Sequence, residues 1–359
     1  MQWTSERAGR YVRAAVRWAR LLTLGWTASG LRVSYGHDRV PAPGDPVAGG
    51  TAKFQKLAAR FPNHSARFSL LYLGSTWLPR DLGPLLAYAG RRHIPVVLNQ
   101  NGVGYPGWAG TGTDAFNRPL RRVLEVADHV LYQSEFCKRS ADEFIGEPRS
   151  SWEVLYNAVD VQQFRPPTAE PALDGPVLLL GGDQTQAYRL ELGLRTLAAL
   201  IPSCPDARLL VSGRLVVPAG PLVEELGLGD RVEFVDRYAQ RDAPELFHRA
   251  HLLLHTKVND PCPTLVLEAM ACGLPVVYPA SGGVVELVGD EAGIGVPHDD
   301  SFARDDPPSP QEMAAAVERL LPDRRRYAES ARRRAVERFA LEPWLERHAQ
   351  LFALLTAAA

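Results

Sequence analysis

The chain has 359 residues, 46% of them hydrophobic and 23% charged, and its 40 basic and 41 acidic side chains leave a formal net charge of -1. That length suits two compact domains with substantial cores, and the composition excludes disorder for the bulk of the chain. The charge balance argues against nucleic acid as the principal partner, and Cys137, Cys204, Cys262 and Cys272, with no C-x-x-C pair and no zinc-ligand spacing with histidine, read as reduced thiols of a cytoplasmic protein.

Residues 1–30 come first. No apolar run here or later reaches the length that crosses a bilayer. The stretch ERAGRYVRAAVRWARLLTLGW is too interrupted by arginine for a signal-peptide core and reads as a basic amphipathic helix. Arg10, Arg13, Arg17 and Arg20 follow one another at spacings of 3, 4 and 3, with Tyr11, Val12, Ala15, Ala19 and Leu22 on another face. Two readings stand: a packed helix whose arginines are solvated, and a helix resting on an anionic membrane surface, a peripheral contact at the inner face.

After it, β-rich runs at 31–36, 68–75, 94–100, 129–134 and 152–157 alternate with helical stretches at 50–61, 80–92 and 116–127. Strand–helix alternation with nearly continuous apolar strands predicts parallel βαβ units covered on both faces. Residues 31–165 thus read as one Rossmann-like domain, and the proline-rich stretch at 166–176 as a linker. The alternation resumes over 177–325, with strands expected at 177–182, 208–213, 232–236, 251–256 and 275–279 and a short sixth at 293–296. Residues 326–359 read as basic amphipathic helices interrupted near Pro343. The expected fold class is α/β, two Rossmann-like βαβ domains facing each other across a cleft.

One short segment, NDPCPTLVLEAMACG at 259–273, carries most of the chemistry. Glu268 is the lone charge in an otherwise apolar helix, and Thr264, four residues earlier, shares its stripe. A buried carboxylate costs several kcal/mol unless it meets water, a partner or a ligand. An acceptor-only carboxylate suits a vicinal diol such as a ribose, and the unpaired amides of the helix's first turn suit a phosphate. Ribose at one position and phosphate one to two turns away is the geometry of a bound nucleotide. A surface ion pair is the other reading of Glu268. Asp260, followed by proline, reads either as a plain N-cap or as a site residue.

These residues also carry a resemblance. NDPCPTLVLEAMACGLPVV, followed by SGGVVELVG and GIGV, resembles the donor-binding signature of retaining, nucleotide-sugar-dependent glycosyltransferases of the GT-B fold, in the large family-four group (glycosyl transferases group 1). That signature has two acidic residues separated by seven others, then A-M-A-x-G-x-P-V and G-G-x-x-E-L; here the pair is Asp260 and Glu268, with Asp where the family usually has Glu. The resemblance implies that Glu268 binds the donor ribose, that Asp260 lies near the sugar, and that the amides of Thr264 and Leu265 meet the distal phosphate. It adds Gly282 and Gly283 to the donor side, with Gly49 and Gly50 of VAGGTAKFQKLA at the glycine loop before the first helix. LYQSEFCKRSADEFIG and VLYNAVDVQQFRP are similar to the family's closing stretch of the first domain, and the last helix, with Trp344, His348 and Phe352, resembles the family's terminal segment, which implies that 326–359 pack back on that domain. Where the family has a glycine–arginine loop followed by lysine, this chain has Gly182 and Asp183, which leaves Arg189 as the best remaining cation; its other reading is a solvated helix residue. Where members commonly carry a histidine after the fourth strand of the first domain, this chain reads NQNGVGYPGW. Gln100 or Asn101 would stand there, and Tyr105 and Trp108 could stack on a sugar or simply pack. His93 and His129, at strand starts, read as structural.

The expectation is a glycosyltransferase that moves a sugar from a nucleotide-sugar donor to a hydroxyl of an unknown glycan, lipid or small-molecule acceptor, with retention. No metal and no cofactor beyond the donor are expected. Two alternatives remain open: a GT-B protein that binds a nucleotide sugar or glycan without transferring it, and a sugar-nucleotide epimerase. A nicotinamide dehydrogenase is disfavoured, since no G-x-G-x-x-G follows an early strand.

Overall fold

The structure, a computed structural model, describes residues 12, 15–23, 30–42, 45, 49–169, 175–236 and 238–357. The chain divides into two compact units, Met1–Tyr156 with Pro343–Ala359, and Asn157–Glu342.

The first unit holds a parallel sheet of β1 (Val33–Ser34), β2 (Leu70–Gly74), β3 (Val96–Gln100), β4 (His129–Tyr132) and β5 (Ser151–Val154), hydrogen-bonded in that order. β2 reads LLYLG and is buried at every position, as a strand covered on both faces must be. Helix α1 (Gly49–Arg60) returns the chain to Asn63, which makes an isolated parallel bridge to Val33 on the side of β1 away from β2. The chain then crosses to β2, so the strand order reverses at β1.

On one face of this sheet Leu71, Leu73, Leu98 and Val130 pack with Leu82, Leu85 and Tyr88 of α2 (Leu82–Arg91) and Leu120 and Val123 of α3 (Thr113–Leu124). α4 (Glu135–Phe144) starts where Ser134 accepts from the Cys137 amide. On the other face Tyr35, Phe54 and Tyr72 meet edge to face. The terminal helix, Leu341–Ala357, closes this face: His348 Nε2 lies 3.1 Å from Tyr72 Oη, and the Phe352 ring is 5.7 Å from that of Tyr72 and 5.1 Å from that of Phe61.

At the N-terminus residues 15–23 are helical. Arg10, Tyr11 and Arg13 lie outside the described residues. The buried edge of the helix differs from the expected one: Leu21 is fully buried, Trp18 packs on Tyr88, and Arg17 donates to Gly36 O and pairs with Asp81, whereas Val12, Val16 and Leu22 are exposed. Arg17 found a carbonyl and a carboxylate, a stronger anchor than Leu22 had available on its side.

The second unit holds β6 (Val177–Leu180), β7 (Arg208–Ser212), β8 (Val232–Val235), β9 (Leu252–Leu254), β10 (Val276–Pro279) and β11 (Gly293–Val296), all parallel, in the order β11-β10-β9-β6-β7-β8. The order reverses between β6 and β9, which opens a crevice at their carboxyl ends. Helices α5 (Ala187–Leu200), α6 (Thr264–Ala271), α7 (Val284–Val288), α8 (Pro310–Leu320) and α9 (Arg324–Arg338) complete the unit. The leucines of β6, β7, β9 and α5 form its core with Met313 and Val317 of α8. A reciprocal Ser309–Glu312 capping box sets the start of α8.

The unit boundaries follow backbone hydrogen bonds more closely than proline content. Residues 157–165 belong to the second unit, because Asn157 Nδ2 donates to Cys262 O (2.8 Å), Val159 N donates to Phe339 O (2.8 Å), and the Phe164 ring meets that of Phe247. α9 stays there too: Arg332 donates to the carbonyls of Phe164, Ala271 and Val161. The segment 326–359 is thus divided between the units, and residues 170–174 of the proline-rich stretch lie outside the described residues.

Candidate active site

The switch point between β6 and β9 gathers most of the residues singled out in the sequence. β6 runs into Gly181–Gly182–Asp183, and the N-terminus of α6 packs on that loop; a Cβ on Gly181 would stand 2.9 Å from the Leu265 side chain. Asp183 accepts from the Arg214 amide at 2.9 Å, which ties the loop after β7 to it.

β9 leads into His255, Lys257 and Asp260. α6 begins only at Thr264, with Pro263 at the N-cap and no side-chain capping bond. Asp260 therefore stands four residues ahead of the first helical residue, and the plain N-cap reading is overturned. Its backbone is clamped instead: Gly283 N donates to Asp260 O at 2.9 Å, and Asn259 N donates to Ser281 Oγ at 3.0 Å. Gly282 is required there, because its φ is +68° and a Cβ would lie 2.6 Å from both Asp260 N and Asp260 O.

Lys257 Nζ donates to Asp260 Oδ1 at 3.0 Å, and His255 Nε2 lies 3.5 Å from Oδ2. Burial pushes the Asp260 carboxyl up, but Lys257, His255 and Arg189 together more than offset it and hold the group below its ordinary value. Burial also pushes the His255 imidazole down to about 4, so it is neutral at physiological pH. The charge on Asp260 is then balanced by Lys257 and Arg189. Arg189 is not a solvated helix residue: it is 7% exposed, and its Nη1 donates to Asp183 O at 2.7 Å.

Glu268 is buried on the same helix, and its Oε1 accepts from Gln240 Nε2 at 2.6 Å. Gln163 Nε2 holds Gln240 O at 2.8 Å and fixes that loop. Burial, then the neighbouring Glu268, raises the Tyr238 phenol to about 12. The surface placement expected under the ion-pair reading of Glu268 is overturned, since the group is 6% exposed. Arg189, Gly182, Asp260, Thr264, Leu265, Glu268, Gly282 and Gly283 all lie in this unit. Four neighbours had gone unnoticed. Lys257 and His255 were legible as polar residues ahead of the motif in sequence, whereas Gln240 and Tyr238 reach Glu268 through a loop with no local signal.

In the first unit Gly49 and Gly50 open α1, and Gly50 packs against Thr76. Gln100 is buried at the end of β3; its amide donates to Asn101 O and Gly102 O, while its Oε1 has no partner. Asn101 closes a turn on Gly102 N. Tyr105 is buried beside Phe144 and Trp108, whereas Trp108 is 43% exposed with its ring edge-on to Phe116. Lys53 and Gln133 both donate to Asn99 Oδ1, at 2.7 and 2.6 Å, a buried polar group that the sequence reading missed. His129 bonds Ser151 Oγ at 2.8 Å and His93 lies in a turn, both away from the carboxyl ends of the strands.

Residues 175–338 match the family described as glycosyl transferases group 1. This stretch is a group 1 glycosyltransferase domain. Among curated proteins, the phosphatidylinositol N-acetylglucosaminyltransferase gpi3 subunit of Schizosaccharomyces pombe is 22% identical over 221 residues, covering 60% of this chain and 46% of that protein. D-inositol 3-phosphate glycosyltransferase of Mycobacterium leprae is 28% identical over 196 residues, 49% of this chain and 45% of that one. The chain spans about half the length of the curated relatives it matches. Among solved structures, sucrose-phosphate synthase from Thermosynechococcus elongatus aligns with a TM-score of 0.66 at 21% identity, covering 85% and 77% of the two chains. Anabaena HepE in complex with UDP-glucose aligns with a TM-score of 0.65 at 19% identity, covering 84% and 81%. These likenesses give the GT-B fold expected from the sequence. In the glycosyltransferase domain the signature residues are the ones that line the β6–β9 switch point. Among the described residues no group of three or more His, Cys, Asp or Glu is placed to hold a metal ion, and no helix is long and apolar enough to cross a membrane.

Proposed function

We propose that the chain transfers a sugar from a nucleoside diphosphate sugar to an acceptor hydroxyl, with retention of anomeric configuration and without a metal ion. The observation that carries this reading is the placement of Asp260 and Glu268 on either side of the first turn of α6, at the switch point of the domain that matches the family. Glu268, oriented by Gln240, would accept from the two ribose hydroxyls, and Asp260 would accept from the sugar. As the bond from sugar C1 to the phosphate oxygen breaks, negative charge grows on the diphosphate. The amides of Thr264 and Leu265 and the positive field of buried Arg189 oppose that charge. The acceptor oxygen bonds to C1 on the face the phosphate leaves, and its proton passes to the departing phosphate oxygen, which suits a site whose histidine, His255, is buried. We assign acceptor recognition to the first unit, where Gln100, Asn101 and Trp108 follow β3 and Gly49 and Gly50 open α1.

Solved relatives were obtained with UDP and UDP-glucose, which makes these the first donors to test. The relatives named for phosphatidylinositol and inositol phosphate put those acceptors first in the panel. Calorimetry with nucleoside diphosphates and their sugars on wild type and Glu268→Ala, with diphosphate release followed in parallel, is the test. Selective binding lost in the variant, with turnover, supports transfer. Binding without turnover favours a non-catalytic binder, and conversion of the donor alone favours an epimerase. Equal binding by both proteins refutes the role of Glu268.

A second reading concerns location. Val12, Val16 and Leu22 are 62%, 61% and 57% exposed on a helix that also carries Arg20, a pattern that fits the interface of an anionic membrane. Co-sedimentation with vesicles containing phosphatidylglycerol, for wild type and a Val12→Ser/Val16→Ser double variant, tests it; equal partition of the two refutes it.

A further inference from the structure

The loop after β6 carries Gly182 and Asp183, neither of which brings positive charge to the switch point. Asp183 itself is engaged by Arg214, through the amide at 2.9 Å and Nε at 4.0 Å. The next carboxylate out, Asp305, accepts from Gln186 at 3.4 Å. Two cations act on Asp260, of which Arg189 also feels the Asp183 carboxylate, and the two are not alike. Arg189 is nearly sealed off, with Nη1 bonded to Asp183 O and a buried Nε that has no partner. It is fixed where it stands and contributes only its field. Lys257 has a flexible four-carbon arm, a side chain 29% exposed, and one bond, 3.0 Å to Asp260 Oδ1, three residues along its own loop.

We propose that Lys257 is the mobile cation of this site: it rests on Asp260 in the free protein and moves onto an anionic oxygen of the bound ligand. The inference rests on the reading of this domain as a nucleotide-sugar site, and it deepens that reading in two ways. It supplies, from the loop after β9, a charge that the loop after β6 does not. It also makes Asp260 a switched group, its Oδ1 released toward the sugar only when Lys257 has left. The anionic oxygen has two sources, the donor diphosphate or the carboxylate of an acidic donor sugar, and the chemistry of recognition is the same for both.

The test is calorimetry with UDP, UDP-glucose and UDP-glucuronate, together with ligand-observed NMR for uridine, on wild type, Lys257→Met, Lys257→Arg and Asp260→Asn. Lys257→Met is expected to weaken the anionic ligand about 10- to 100-fold, the worth of one hydrogen bond to a charged group, while uridine binds as before. Lys257→Arg restores most of the loss. Asp260→Asn, which frees the lysine, tightens UDP. Loss seen already with UDP identifies the diphosphate; loss confined to UDP-glucuronate identifies the sugar carboxylate. Unchanged binding by Lys257→Met, equal loss of uridine and UDP, or weaker UDP binding by Asp260→Asn overturns the proposal. A wild type that binds none of these, nor GDP or ADP, overturns the parent reading along with it.

Discussion

Replacing Gly282 by alanine puts one methyl group where the backbone of Asp260 already stands. At φ +68° an L side chain costs about 1–2 kcal/mol relative to the right-handed region. The added carbon would lie 2.6 Å from both Asp260 N and Asp260 O, against the 3.4 Å at which ordinary contact begins, so the two segments must part by roughly 0.8 Å. They cannot part freely, because Gly283 N is bonded to Asp260 O at 2.9 Å. A working site tolerates displacements of about 0.5 Å, so Gly282→Ala is expected to lose about 2–3 kcal/mol of stability and at least about tenfold in donor affinity. Gly220→Ala is the matched control, since Gly220 opens a short helix and has nothing within 4 Å of its would-be Cβ. Urea unfolding and donor calorimetry on both variants give the answer. If Gly282→Ala unfolds and binds like Gly220→Ala, the clamp on Asp260 has no energetic meaning and the argument fails.

Two further outcomes follow from groups away from the switch point. His348 is buried, and burial pushes its imidazole down to about 4 from an ordinary 6.5, the loss of hydration falling on the charged form. Between those values the unfolded chain holds the proton and the folded one does not, so its contribution is whole above pH 6.5 and is lost as pH falls toward 4; the full swing is roughly 3 kcal/mol. Urea midpoints between pH 7.5 and 4.5 should fall steeply for wild type and less so for His348→Phe; a resonance assigned to the His348 imidazole by its loss in that variant and titrating near 6.5 in the folded protein would refute this. Arg332→Met should cost about 3 kcal/mol or more, since three carbonyls lose a charged donor together, and the loss should appear in thermal unfolding. No change in midpoint would show that water replaces the guanidinium without penalty.

The strands were legible because parallel strands buried on both faces are written as unbroken apolar runs, and LLYLG and VLLL leave little else to be. The motif at 259–273 was legible for the opposite reason, one charge where apolar residues should continue. What escaped reading was set by distant chain. The start of α6 slips from Asp260 to Thr264 because the turn at 281–283 holds Asp260 by its backbone, and no local rule sees a turn twenty residues away. Gln240 reaches Glu268 from 28 positions upstream. The N-terminal helix was assigned its face from apolar spacing alone, but an arginine with both a carbonyl and a carboxylate to hold outweighed an exposed leucine. The boundary at Tyr156 likewise follows where Asn157 and Val159 find their bonds, which composition does not record.

The terminal helix also bears on the order in which the molecule can be made. The second unit is one continuous stretch, Asn157–Glu342, complete as soon as it has left the ribosome. The first unit is built from Met1–Tyr156 and Pro343–Ala359, and the Tyr72 face of its sheet has no His348 or Phe352 to close it until the second of these stretches is synthesised. Domains commonly finish in the order in which they are translated; here the sequence of completion is inverted. For the time it takes to synthesise roughly 200 residues, Tyr72 and Phe61 wait uncovered, and a ribosome that stalls late releases a finished glycosyltransferase domain tethered to an open sheet.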